Sequence, residues 1–138
     1  MSFKVVSYYT KNTPYKTDAL KLEKSCVKHE IPYHIMEVPN QGTWQKNTHY
    51  KAVFVKMMLA KFNEDDIVFT DADSIFHSYP YLFDDMEGDI AVHLRNWIHA
   101  RNELLSGTVY FKNTIKINKL VNDDFNHRQV RKYSPIEY

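Results

Sequence analysis

The run Ile67-Val68-Phe69-Thr70, followed at once by Asp71-Ala72-Asp73, constrains this chain more than any other stretch. Its apolar residues show no polar alternation, and Glu64-Asp65-Asp66 precede them. That is the profile of a short strand buried on both faces of a parallel sheet, which needs helices in a layer on each side. An α/β fold follows. In open sheets of this kind ligands bind beyond the carboxyl ends of the strands, where Asp71 and Asp73 fall. Carboxylates one residue apart at such a point suit a hard divalent cation and the phosphates it carries, although a D-x-D triplet alone is common and also serves as an ordinary turn.

The rest of the chain supplies the layers. Phe3 to Thr10 reads as a first strand that stops at Lys11-Asn12-Thr13-Pro14. A helix capped by Thr17 runs to about Glu30, with Ala19, Leu20, Leu22, Cys26 and Val27 on its apolar face. Tyr33 to Val38 is a second strand, and Pro39-Asn40-Gln41-Gly42 opens a loop carrying Trp44. A second helix spans about His49 to Phe62, with Val53, Phe54, Met57, Met58 and Phe62 apolar and its lysines snorkelling outward. This β-α-β-α-β order implies right-handed crossovers and a parallel sheet. Beyond it the pattern is mixed: turns around Ser78 to Asp85, a strand at Asp89 to Leu94, and a strand-like Leu104 to Phe111.

Composition narrows the functional classes. A chain of 138 residues, 43% hydrophobic and 14% aromatic, buries one core, so residues 1–138 are expected to form a single domain. Eighteen Lys+Arg against seventeen Asp+Glu leave a formal charge of +1, with no global field for nucleic acid or an acidic membrane. Cys26 is the only cysteine, no stretch has a signal-peptide profile, and no apolar run is long enough to span a bilayer. A cytoplasmic protein is the expectation.

Phe3-Lys4-Val5-Val6-Ser7-Tyr8-Tyr9-Thr10, Asp66 to Asp73, Asp89-Ile90-Ala91-Val92-His93 and Leu105-Ser106-Gly107-Thr108-Val109-Tyr110-Phe111, in that order, resemble the GT-A glycosyltransferases, the small nucleotide-diphospho-sugar transferases. The resemblance covers roughly residues 1 to 115 and implies a Rossmann-like GT-A fold with a mixed, mostly parallel central sheet flanked by helices. It implies that Asp71 and Asp73 serve Mn2+, or Mg2+, bridging the diphosphate of a nucleoside-diphosphate sugar. Asp73 is then the principal ligand, with Asp71 on the ribose or acting through water. It also implies donor contacts from Tyr8, Tyr9 and Thr10 after the first strand, from Ala72 between the carboxylates, and from the small-residue turn Ser106-Gly107. Lys51 and Lys56 are candidates to approach a phosphate, Lys51 preferred for its place near the helix start, and Arg95 is a candidate for the sugar or diphosphate. The plain alternatives are core-packed tyrosines, solvated lysines and an ordinary glycine turn. Trp44 is a candidate cover for nucleotide or acceptor, or else a plug for the sheet edge.

The C-terminal part departs from the family pattern. After Tyr110-Phe111-Lys112-Asn113-Thr114 the family continues with an acidic segment and a later metal-binding histidine. Here Asp123-Asp124, Glu137 and His127 are the only candidates for those roles, and Ser134-Pro135-Ile136-Glu137-Tyr138 resembles the strand that follows, as though the intervening piece were shortened. His93, His99 and His127 lack the spacing of a zinc site. Without an evident base, a retaining mechanism is favoured, in which the departing phosphate takes the acceptor's proton. Base, sugar and acceptor are not readable. The rival readings are a nucleotide-sugar-binding protein without turnover and a haloacid-dehalogenase-type phosphatase with Asp71 as nucleophile and Asp73 as general acid and base. An open sheet edge and apolar surface also leave room for an oligomer.

Overall fold

The computed structural model describes residues 2–95 and 103–130. Strands β1 (Phe3–Thr10), β2 (Tyr33–Val38) and β3 (Asp66–Thr70) alternate with helices α1 (Tyr15–Lys28) and α2 (Trp44–Lys61). A 3₁₀ turn at Tyr81–Asp85 leads to β4 (Ile90–Arg95), β5 (Glu103–Phe111) and α3 (Ile115–Val130). The described residues form a five-stranded sheet in the order β2-β1-β3-β5-β4. β1 pairs in parallel with β2 and β3, and β5 runs antiparallel to both β3 and β4. Four strands therefore point one way and only β5 opposes them, so the sheet is mixed and mostly parallel, with helices on both faces.

The core explains the strand pattern. Every residue of β3 is buried. Ile67 and Phe69 face α2 and α3, packed with Val6, Phe54, Met58, Leu59, Ile117 and Val121. Val68 faces the other way, toward Val5, Leu22, Cys26 and Tyr110 on the α1 side. Successive strand residues point to opposite faces, so a strand covered on both sides loses its polar alternation. The chain leaves β1 for β2 on one side of the sheet and returns to β3 on the other. Right-handed crossovers then place α1 and α2 on opposite faces and open a crevice between the ends of β1 and β3.

A buried polar lock fixes the far end of β3. Asp66, 5% exposed, accepts from the Tyr110 hydroxyl at 2.6 Å and from the Asn113 amide at 2.9 Å. The Asn113 side-chain amide donates to the carbonyls of Leu59, Phe62 and Asp65. The end of α2, the start of β3 and the end of β5 are thereby tied together, which fixes where the other end of β3 emerges.

The helices differ from expectation in ways their surroundings explain. α1 starts at Tyr15 behind Pro14, ahead of Thr17. Its buried stripe is Ala19, Leu22, Ser25 and Cys26, whereas Leu20 and Val27 are 50% and 61% exposed. Both lie about one residue, or ~100°, off the stripe. α2 begins at Trp44, not near His49, because Thr43 takes the N-cap position and its hydroxyl accepts from the Lys46 amide at 3.1 Å. Trp44 is thus helical, and Val55 and Leu59 rather than Val53 and Met57 complete the buried face. α3 was not anticipated. Thr114 caps its first turn, accepting from the Ile117 amide at 3.2 Å, while Ile115 and Leu120 remain exposed. β2 and β4 form the sheet edges, and Ile90 and Val92 of β4 are 39% and 43% exposed. Among the described residues no helix is long and apolar enough to cross a membrane.

Candidate functional site

The crevice between β1 and β3 is a cleft of about 460 Å³, within the usual range for small-molecule sites. Tyr8, Tyr9 and Thr10 line it from the end of β1, and Asp71, Ala72 and Asp73 from the end of β3. Lys51 of α2 lines it as well. Sequence reasoning had not singled out Thr13, Pro14, Tyr15, Asn40 or Asn47, which also line the cleft. Their signal was present in the breaker clusters after β1 and β2, since binding residues concentrate on loops at strand ends.

The β1 side is held by local hydrogen bonds. Lys11 donates its amide to Val38 at 2.9 Å and the Thr13 hydroxyl donates to the Thr10 carbonyl at 2.7 Å, turning the chain through Asn12 at φ 61°. Asparagine tolerates that left-handed conformation better than most residues. Across the cleft, the Asn47 side chain accepts from the Gln41 amide at 2.7 Å and donates to Asn40, whose side chain also accepts from the Gly42 amide at 2.8 Å. Gly42, at φ +99°, allows this tight turn. Trp44, 72% exposed, stands at the rim.

Tyr8 links the wall to the core. Its ring packs against Tyr50, Phe54 and Phe69, and its hydroxyl donates to the Asn47 carbonyl at 2.7 Å. Burial, with the negative charge of Asp71 and the neighbouring Tyr50 adding to it, pushes the Tyr8 phenol well above its ordinary pKa. Tyr8 is thus a neutral wall residue whose ring is largely engaged by protein.

At the β3 exit the Asp71 amide donates to the Gly107 carbonyl at 2.9 Å, and the Ser74 amide donates back to the Asp71 carbonyl at 3.0 Å. The next loop is pinned to α1, where the Ser25 hydroxyl accepts from the Phe76 amide at 3.0 Å. Ala72 turns inward at 7% exposure, while Asp73 is exposed. The Lys51 ammonium lies 3.2 Å from Asp71 Oδ1 and 4.9 Å from the centre of the Phe69 ring. Gly107 comes so close that a Cβ there would meet Asp71 Oδ2 at 3.4 Å.

Not every candidate converges. Arg95 ends β4 and Ser106 lies in β5, and the side chains of both lie outside the described residues. Lys56 lines a separate groove between α2 and α3. Asp123 and Asp124 fall on α3, His127 lies on the same helix, and His93 lies in β4. His99, Glu137 and the segment 134–138 are outside the described residues. Among the described residues no cluster of three or more His, Cys, Asp or Glu is arranged to hold a metal. The two carboxylates of Asp71 and Asp73 are hard oxygen donors of the type that holds Mg2+ or Mn2+ when substrate phosphates and water complete the shell.

The fold is one found among glycosyltransferases. The whole chain aligns with a glycosyltransferase involved in the glycosylation of the major capsid of PBCV-1, at a TM-score of 0.72 and 14% identity, spanning 72% of that chain. It also aligns over its full length with the apo form of the glycosyltransferase GlyE of Streptococcus pneumoniae TIGR4, at a TM-score of 0.61 and 13% identity, spanning 41% of that chain. No protein-family model matches the sequence, and no curated protein matches it.

Proposed function

We propose that this chain is a metal-dependent glycosyltransferase of GT-A type, taking a nucleoside-diphosphate sugar into the cleft between β1 and β3 and passing the sugar to an acceptor. The observation that carries the reading is the placement of Asp71 and Asp73 at the exit of the fully buried β3, beside Lys51 and facing the loops after β1 and β2. The likeness to glycosyltransferase structures supports the fold, and the site supplies the chemistry.

Exposed Asp73 is the principal ligand for Mn2+ or Mg2+ in this reading, and Asp71, closer to the backbone of β5, holds the ribose or acts through water. A bound divalent cation neutralises the charge that develops on the departing diphosphate. The chain's own contributions are positional and electrostatic. Lys51 adds positive charge beside the phosphates, and Gly107 leaves room next to the Asp71 carboxylate. Tyr9 and Thr10, with Asn40 and Trp44 opposite, wall the part of the cleft that receives the nucleoside. No observation favours the phosphatase reading, because β3 is the third strand of the chain and its partner β5 is antiparallel.

The test is chemical. The full chain is incubated with a panel of nucleoside-diphosphate sugars and Mn2+, and products are followed by mass spectrometry. Metal-dependent release of a nucleoside diphosphate from one donor supports the proposal. Metal-dependent donor binding without release at any acceptor or with water points instead to a binding protein, and covalent trapping of Asp71 by a phosphate mimic points to the phosphatase.

A further inference from the structure

We propose that Lys51 is an internal counter-ion of Asp71 that couples the two ligands of the cleft, so that the divalent cation and the nucleoside diphosphate bind strongly only together. The inference rests on the reading of the cleft as a donor site and adds a coupling between its two ligands. Lys51 sits about two turns into α2, with its nitrogen 3.2 Å from Asp71 Oδ1. It also lies over Phe69, which is 2% exposed and fixed in β3. The pair is therefore set against an immobile apolar surface, and the two side chains are only 24% and 44% exposed. A cation arriving alone would meet an oxygen already engaged by an ammonium, and partial burial would strengthen the repulsion between the two positive charges.

A diphosphate changes the balance. It carries more negative charge than one carboxylate, and an ammonium on a flexible four-carbon stem can move to a phosphate oxygen without any movement of α2. Once Lys51 turns to the phosphate, the Asp71 carboxylate faces the cation and its water shell without a competing charge. The cation in turn holds the diphosphate. Such coupling is reciprocal: nucleotide raises the affinity for cation by the same factor as cation raises the affinity for nucleotide.

Electron paramagnetic resonance of free Mn2+, titrated against the full chain with and without saturating UDP or GDP and corrected for the nucleotide–metal complex in solution, reads this factor without any turnover. The wild-type chain should bind Mn2+ about tenfold or more tightly when the diphosphate is present. Lys51→Met, which keeps the apolar stem, should bind Mn2+ alone more tightly than wild type and show a smaller coupling factor, the remainder coming from the direct contact of cation and diphosphate. Lys51→Arg should keep it, and Lys51→Gln serves in place of the methionine variant should that one not fold. Coupling that survives unchanged in Lys51→Met, or weaker binding of Mn2+ alone by that variant, overturns the inference while leaving the donor site standing. Failure of wild type to form a ternary complex with either diphosphate overturns both.

Discussion

Gly107 and Asp71 form a paired junction in which the Gly107 carbonyl accepts from the Asp71 amide at 2.9 Å and the Asp71 carboxylate borders the space a side chain at 107 would use. A methyl group there would stand 3.4 Å from Asp71 Oδ2, at the edge of ordinary van der Waals contact, so Gly107→Ala should fold normally and bind nucleotide nearly as wild type. Gly107→Val carries its branches into the carboxylate. Its affinity for a nucleoside diphosphate with Mn2+, by calorimetry, should drop by about tenfold or more while thermal stability changes by ~1 kcal/mol or less.

The lock at the opposite end of β3 should govern stability and leave the cleft intact. Tyr110→Phe takes away the hydroxyl that donates to buried Asp66 at 2.6 Å. Leaving a buried acceptor without that donor costs about 1–3 kcal/mol, and denaturant unfolding should show the loss. Nucleotide affinity measured well below the melting transition should be unchanged.

Alkaline pH should weaken the same contact. Burial first, and the hydrogen bond to Asp66 second, hold the Tyr110 phenol well above its ordinary pKa of about 10. The folded chain therefore keeps a proton that the unfolded chain releases. Stability from this group is fully present below about pH 10 and is lost as the pH rises further toward the folded value. The slope of unfolding free energy against pH above 10 should be shallower in Tyr110→Phe, and shallower again when Tyr8→Phe is added, since Tyr8 is raised by burial as well.

Asn47 joins the β2–α2 loop to the helix below it, through the Gln41 amide and the Asn40 side chain. Asn47→Ala should free the loop without disturbing the Tyr8 hydroxyl, which donates to the Asn47 backbone carbonyl. Faster hydrogen exchange at Gln41 and about tenfold weaker nucleotide binding are the expected outcomes, as ordering the loop becomes part of binding.

Much of this architecture was legible in the chain because the strongest signals were local. Ile67-Val68-Phe69 lacks alternation because β3 is covered on both faces, and that one fact called for helices on each side. The breaker clusters after Thr10 and Val38 marked the loops that wall the cleft. What escaped depended on packing between distant segments. α3 buries Ile117 and Val121 but leaves Ile115 and Leu120 exposed, so its apolar residues do not fall on one evident stripe. The start of α2 rested on Thr43 as a cap, a role any loop threonine can fill. Lys51 was one of several lysines on its helix, and only the fold places it 3.2 Å from Asp71.

Whether Asp71 and Asp73 form a metal-dependent donor site can be read from the melting temperature of the full chain with UDP- and GDP-sugars, with and without Mn2+. A donor at about 100 times its dissociation constant stabilises the folded chain by ~2.7 kcal/mol, a shift of several degrees. That shift is expected for at least one donor, only when Mn2+ is present, and should be lost in Asp73→Ala. No stabilisation by any donor, or stabilisation that persists undiminished in Asp73→Ala, rules out a metal-dependent donor site at these two carboxylates.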